Sequence, residues 1–113
     1  MRSTVLTGCC VILLLGASIL PSAAEAQEIP IAINGIAFSP KIIHVHVGDR
    51  ISWVNNDAVR HEILFARNPT DSEDPRLRYQ LKPGQNVSII VTKPGDYDYK
   101  CRWHGMTGSI HVD

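Results

Sequence analysis

The chain has 113 residues, 44% of them hydrophobic, and its eleven Lys and Arg balance eleven Asp and Glu. That hydrophobic content excludes a disordered chain, and a neutral chain without a basic stripe lacks the phosphate-neutralising surface that nucleic-acid binding needs. The length allows one small domain with no cleft between domains, and no Rossmann or P-loop glycine pattern occurs.

Residues 1–26 read as an export signal that is cleaved. Arg2 supplies a positive start, Val5–Thr7 and Val11–Leu20 an apolar core, Pro21 a break, and Ala24-Glu25-Ala26 the small-x-small pattern of a cleavage site. The apolar run is too short and wrongly flanked for a spanning helix. A competing reading takes Leu6-Thr7-Gly8-Cys9 as a lipoprotein box, which would leave a lipid-anchored protein, although few apolar residues precede Cys9. Cys9 and Cys10 leave with the signal. Cys101 is then the single thiol of the mature domain, residues 27–113, and no internal disulfide can close.

The mature segment reads as all-β, because short runs of period-two alternation recur between turn signals and no helical stripe is sustained. Ile29–Ile33 is the first strand, turning at Asn34-Gly35. Lys41–Val47 puts Ile43, Val45 and Val47 on one face and Ile42, His44 and His46 on the other, before Gly48-Asp49. Arg50–Asn55 carries Trp53, a core candidate, and Asn55-Asn56-Asp57 leads on to His61–Phe65. Residues Arg67–Pro75 read as a solvated loop. Asn86–Thr92 follows Pro83-Gly84, and Pro94-Gly95 precedes Asp96–Cys101, which sends Tyr97, Tyr99 and Cys101 to one side. Gly108–Val112 is the last strand. About seven or eight short strands in this length predict a two-sheet sandwich.

Cys101-Arg102-Trp103-His104-Gly105-Met106 brings a thiolate, an imidazole and a thioether together in one tight loop, and His61 offers a second imidazole from a distant strand. Soft sulfur with imidazole suits copper, which uses a trigonal His₂Cys site with a weak axial Met. Zinc is an alternative, but a structural zinc site wants four strong ligands and one Cys is available. A Cys–His nucleophile is another, but it would need an orienting third group and a substrate cleft. His44 and His46, at i and i+2 on one strand face, could bind a surface metal, but they read first as solvated polar residues. His111 reads the same way.

At these residues the chain resembles the cupredoxins, and within them the amicyanin-like branch. Lys41–Arg50 is similar to a family strand and its Val-Gly-Asp turn. Ser52–Phe65 is similar to the strand that runs through an Asn-rich turn to the first ligand histidine. Gly95–His104 resembles the Gly-x-Tyr-x-Tyr-x-Cys-x-x-His approach, and Gly108–Val112 the last strand. The resemblance implies a Greek-key β-sandwich with a type 1 (blue) copper site. It implies one copper ion cycling between Cu(II) and Cu(I), with His61, Cys101 and His104 as equatorial ligands and Met106 as the axial one.

Two positions depart from the family pattern. Family loops place two residues between the second histidine and the methionine, and here Gly105 stands alone. The residue after the first histidine is Glu62 instead of Asn, and the residue after the cysteine is Arg102 instead of Ser or Thr. The two changes are charge-complementary, so an ion pair between Glu62 and Arg102 is expected to tie the ligand segments together. The other reading of Glu62 is a hard oxygen ligand that would give a non-blue site.

The function implied is an exported, periplasmic electron carrier, not an enzyme. It is expected to act as a monomer and to meet transient redox partners such as a c-type cytochrome or an amine dehydrogenase, with no nucleic acid and no membrane span after signal cleavage. Trp103, Gly105, Ala58 and Val59 are candidates for an apolar docking patch. Arg60, Arg67 and Arg102, near the ligand segments, would favour an acidic partner. A copper carrier or chaperone without electron-transfer duty is the alternative.

Overall fold

The computed structural model describes residues 25–113. The expected export signal, with Cys9 and Cys10, lies outside the described residues except for Glu25 and Ala26. Nine strands follow one another: β1 (Glu28–Ile33), β2 (Phe38–Ser39), β3 (Ile42–Val45), β4 (Arg50–Asn55), β5 (His61–Phe65), β6 (Arg78–Leu81), β7 (Asn86–Ile90), β8 (Gly95–Cys101) and β9 (Met106–Val112). They form two sheets, ordered β2-β1-β4-β7 and β3-β9-β8-β5-β6. The all-β, two-sheet sandwich expected from the alternation is the observed fold.

The strands form where apolar side chains recur every second residue, so that one face of each can be buried. In β8 the buried residues are Tyr97, Tyr99 and Cys101, and in β4 they are Ile51, Trp53 and Asn55. The facing sheets share an aromatic centre. Trp53 of β4 meets Tyr99 of β8 edge-on at 5.4 Å and Phe65 of β5 at 6.0 Å, and Phe38 of β2 meets Tyr99 at 4.7 Å. Such edge-to-face pairs add to the burial energy of the rings themselves. They anchor β5 and β8, the strands that carry His61 and Cys101, with Phe65 four residues from His61 and Tyr99 two from Cys101.

Four details differ from the expectation. β2 and β6 are additional strands, one only two residues long and the other following the Pro-containing loop. Val47 does not continue the buried face of Ile43 and Val45; it lies exposed in the turn after β3. Arg67 is not near the ligand segments. Its guanidinium lies over the Tyr97 ring at 4.9 Å and donates to the Asp96 carbonyl, towards the far end of β8. β9 begins at Met106, two residues before Gly108, and this extension decides how the ligand loop closes.

Gly108 faces inward from β9, directly against Tyr99. Any Cβ there would overlap the Tyr99 ring, which is itself packed on three sides by aromatic neighbours. The ring cannot retreat without disturbing the sandwich core. Gly108→Ala is therefore expected to cost about 1–3 kcal/mol. Urea denaturation reads this as a lowered midpoint, and an unchanged midpoint would show that the ring has room to move.

Candidate metal centre

The register of β5 and β8 makes the site. These strands pair antiparallel at Phe65 with Tyr99 and at Leu64 with Lys100, and the ladder stops there. Continued by one step it would set Ile63 opposite Cys101. Instead the strands part, and the thiol occupies the gap. Cys101 Sγ accepts the backbone N–H of Glu62 at 3.4 Å, taking the place of a ladder carbonyl. On its other edge β5 remains paired with β6, His61 facing Leu81 and Glu62 facing Gln80, so its backbone stays fixed where it leaves β8.

His61 opens β5 and is fully buried. Its Nε2–H donates to Asp57 Oδ2 at 2.8 Å, which leaves the Nδ1 lone pair facing Cys101 Sγ at 3.9 Å. Asp57 is held in turn: its carboxylate accepts the backbone N–H groups of Gly35 at 2.7 Å and Ile36 at 2.9 Å. The Ile36 amide, with help from His61 and Gly35, holds the Asp57 carboxyl below the usual carboxylate range against the opposing effect of burial. The turn itself is built on buried Asn55, whose amide donates to the carbonyls of Val59 and Leu81 and whose oxygen accepts the Asp57 N–H. A carboxylate behind a ligand imidazole fixes its tautomer and raises its basicity. The Asn-rich turn stood out in the sequence, but the role of Asp57 did not; its place four residues before His61 was the available signal.

His104 lies in the four-residue loop between β8 and β9 and is exposed. Its Nδ1 stands 3.6 Å from Cys101 Sγ, and its ring meets that of His61 edge-on at 4.8 Å. The donor atoms of His61, Cys101 and His104 all fall within 4.8 Å of one another. Around a first-row ion with bonds of about 2.3 Å to sulfur and 2.0 Å to nitrogen, sulfur and nitrogen sit roughly 3.6–3.8 Å apart. The two sulfur–nitrogen separations, 3.9 and 3.6 Å, lie within about 0.1 Å of this range, so the residues fit a single ion.

Met106 is the ladder partner of Cys101, the pair that closes the β8–β9 hairpin. Both side chains are buried on the inner face of their sheet. The short spacing after His104 therefore does not carry Met106 away: strand pairing, not loop length, sets its position.

Glu62 is also fully buried, and its carboxylate points away from the converging donors. Arg102 grips it in bidentate fashion, Nε to Oε1 and Nη2 to Oε2 both at 2.9 Å, and Arg78 Nε reaches Oε2 at 2.6 Å. The expected Glu62–Arg102 pair is thus present, and the hard-ligand reading of Glu62 is not. Arg78 was not foreseen, because it lies on β6, a strand the sequence pattern hides. Around this centre Trp103 and Val59 are each 44% exposed, and Ala58 and Gly105 are exposed beside them.

Comparison with known proteins agrees with this geometry. The family described as copper binding proteins, plastocyanin/azurin family, matches residues 25–113. The chain is 30% identical over 108 residues to chloroplastic plastocyanin of Hordeum vulgare, covering 87% of this chain and 70% of that one. It is 30% identical over 95 residues to amicyanin of Paracoccus denitrificans, covering 81% and 72%. It superimposes on the Cu(I) form of an amicyanin variant with a TM-score of 0.66 at 29% identity, over 81% of this chain and 86% of the other.

The Glu62 cluster generates a pH-dependent prediction. Hydrogen bonding from Arg102 overcomes burial and lowers the Glu62 carboxyl from 4.5 to about 2. A carboxyl depressed by folding stabilises the native state above its ordinary range, and the contribution is lost as pH falls from that range through about 2. With both arginines about half exposed, we discount the full linkage value to about 2 kcal/mol. Glu62→Gln should lower stability by that amount at neutral pH, and the gap should close in acid. Urea denaturation of both proteins across the acidic range measures it; a gap independent of pH would show that the charge contributes nothing.

Proposed function

This chain belongs to the copper-binding plastocyanin/azurin family, its cofactor is copper, and from that premise we propose that it is an exported carrier of single electrons rather than an enzyme. His61, Cys101 and His104 would hold the ion, with the Met106 thioether as a further, weaker donor. When bound, copper supplies the one-electron Cu(II)/Cu(I) couple. The observation that carries this reading is the convergence of two Nδ1 atoms and one thiol in a gap between strands.

Each residue has a part in that task. Cys101, buried and already accepting the Glu62 N–H, holds its sulfur where it would meet the ion. His61 cannot turn, because Asp57 holds its far nitrogen. A site fixed in this way changes little between oxidation states, which keeps the cost of electron transfer low. His104, the exposed member of the set, would be the solvent-facing ligand, and its edge would be where electrons enter and leave. Exposed Trp103, Val59, Ala58 and Gly105 form the surface on which a redox protein docks briefly, as weak electron-transfer encounters do over small interfaces. The donor and acceptor are transient redox protein partners, such as a c-type cytochrome or an amine dehydrogenase. The protein works as a periplasmic monomer once residues 1–26 are removed, and no helix among the described residues is long and apolar enough to cross a membrane. A delivery role would need ligands that separate readily, and the depth of His61 and Cys101 favours retention.

Copper reconstitution tests the assignment. The Cu(II) form should show the intense visible absorption of copper–thiolate bonding, and Cys101→Ser should abolish it. Met106→Leu should keep the band and raise the reduction potential. Leucine fills the space without a lone pair, and Cu(II) loses more than Cu(I) when a donor is withdrawn. A weakly coloured wild-type Cu(II) form, or a potential indifferent to Met106→Leu, would contradict the ligand set.

A further inference from the structure

A second group of metal-capable side chains lies on the solvent face of the five-stranded sheet, at the opposite end from Cys101. β3 and β9 run parallel with His44 in register with His111, and β8 sets Asp96 opposite His111 on the other side. The sheet pleat sends Ile43, Val45, Ile110, Val112 and Tyr97 into the core, and it sends His44, His111 and Asp96 outward together. Two residues further along, His46 and Asp113 return to the same face. Backbone hydrogen bonds from Asp113 N–H to the Val45 carbonyl and from Val47 N–H to the Asp113 carbonyl hold that end of the ladder closed.

The side chains converge. His44 Nε2 lies 3.0 Å from Asp113 Oδ2, and His111 Nε2 lies 2.8 Å from Asp113 Oδ1. One donor atom from each of His44, His111 and Asp113 falls within 4.8 Å of the other two. The imidazoles of His44 and His111 meet edge-on at 4.3 Å, and His46 Nδ1 stands 3.9 Å from Asp113 Oδ2 as a fourth donor. A separate observation concerns orientation. His111 Nδ1 is bonded to the Asp96 carboxylate, which leaves Nε2 as the atom directed at the cluster. This is the arrangement Asp57 gives His61 at the other end of the sheet, and it is the usual support of a metal-bound histidine.

We propose that His44, His111 and Asp113, with His46 as fourth ligand and Asp96 as positioning residue, form a second metal site for a borderline divalent ion, Zn(II) or Cu(II). The donor set decides the class. Neutral imidazoles with a carboxylate suit zinc and copper, whereas calcium and magnesium want oxygen ligands throughout. Charge agrees with this: the carboxylates of Asp96 and Asp113 together match a divalent cation. In the ion's absence the imidazole–carboxylate hydrogen bonds occupy the same atoms, and binding exchanges protons for metal. The site is separate from the first, since Met106 and His111 lie on one strand five residues, or about 17 Å, apart. Its effect is mechanical. β3 is an edge strand of its sheet, and an ion held by His44 on one side and by His111 and Asp113 on the other clips it to β9.

The experiment uses the untagged protein loaded with one copper equivalent per chain and freed of excess copper, so that the Cys101 centre is filled and the second site is open, and titrates zinc chloride at neutral pH by calorimetry. The expected result is one saturable zinc equivalent, with a thermal midpoint that rises with zinc concentration as a native-state ligand requires. His44→Gln and His111→Gln should each weaken binding by at least about tenfold, with the copper absorption unchanged as proof of an intact fold. Asp96→Asn, which leaves every ligand in place, should weaken zinc to a smaller degree. The inference is overturned if the copper-loaded protein takes up no saturable zinc, or if both histidine variants bind it as tightly as the wild type.

Discussion

The hydrogen bond from the Glu62 amide to Cys101 Sγ is the interaction on which the rest of the centre depends. Two antiparallel strands would ordinarily continue exchanging backbone hydrogen bonds to their ends. Here β5 and β8 stop at Leu64 and Lys100, and a sulfur atom takes over as acceptor. The substitution opens the sheet at one corner without leaving a buried N–H unpaired, which would itself carry a penalty. It also directs the thiol sideways into the gap, where the imidazole of His61 is already held. Below the gap the Phe38, Trp53, Phe65 and Tyr99 rings join both sheets. Beside it Glu62 joins β5, β6 and the ligand loop through two arginines. The opening is thus braced on each side, and the donors keep their spacing by virtue of the scaffold alone.

A buried carboxylate is an expensive brace. Desolvation works against its charge, and only the bidentate grip of Arg102, with Arg78 behind it, keeps it ionised. The same cluster explains why Arg102, although it sits in the ligand loop, contributes little free charge to the surface around His104. What that surface does offer is apolar: Trp103 and Val59 stand out beside a single exposed imidazole edge. For the docking proposed above, specificity would then come from shape and from more distant charges.

Much of this was legible in the sequence, for reasons that differ from residue to residue. Tyr97, Tyr99 and Cys101 alternate with charged residues, so their common face could be read directly, and the complementary departures at Glu62 and Arg102 announced an ion pair. Trp53 behaved as a core residue because its strand alternates cleanly. Other features were not legible. β6 has mixed polarity, since it is an edge strand with one face half solvated, and a Pro-containing loop precedes it. β2 is held by two register pairs with β1, too few for any periodicity to show. Val47 follows the alternation on paper, but the turn ahead of Gly48 rotates it out. The short spacing from His104 to Met106 departs from the family pattern when counted along the chain, whereas cross-strand pairing with Cys101 is what places Met106. Asp57 and Asp96 each stand behind a histidine; apart from the four-residue spacing of Asp57 and His61, such support is a tertiary relation that the local pattern does not show.

The most direct test of the central claim is X-ray absorption at the copper edge of the reconstituted protein. One short copper–sulfur bond and two imidazole nitrogens are expected around the metal, with that sulfur lost and the two nitrogens retained in Cys101→Ser. Nitrogen and oxygen alone around the metal in the wild type would contradict the claim.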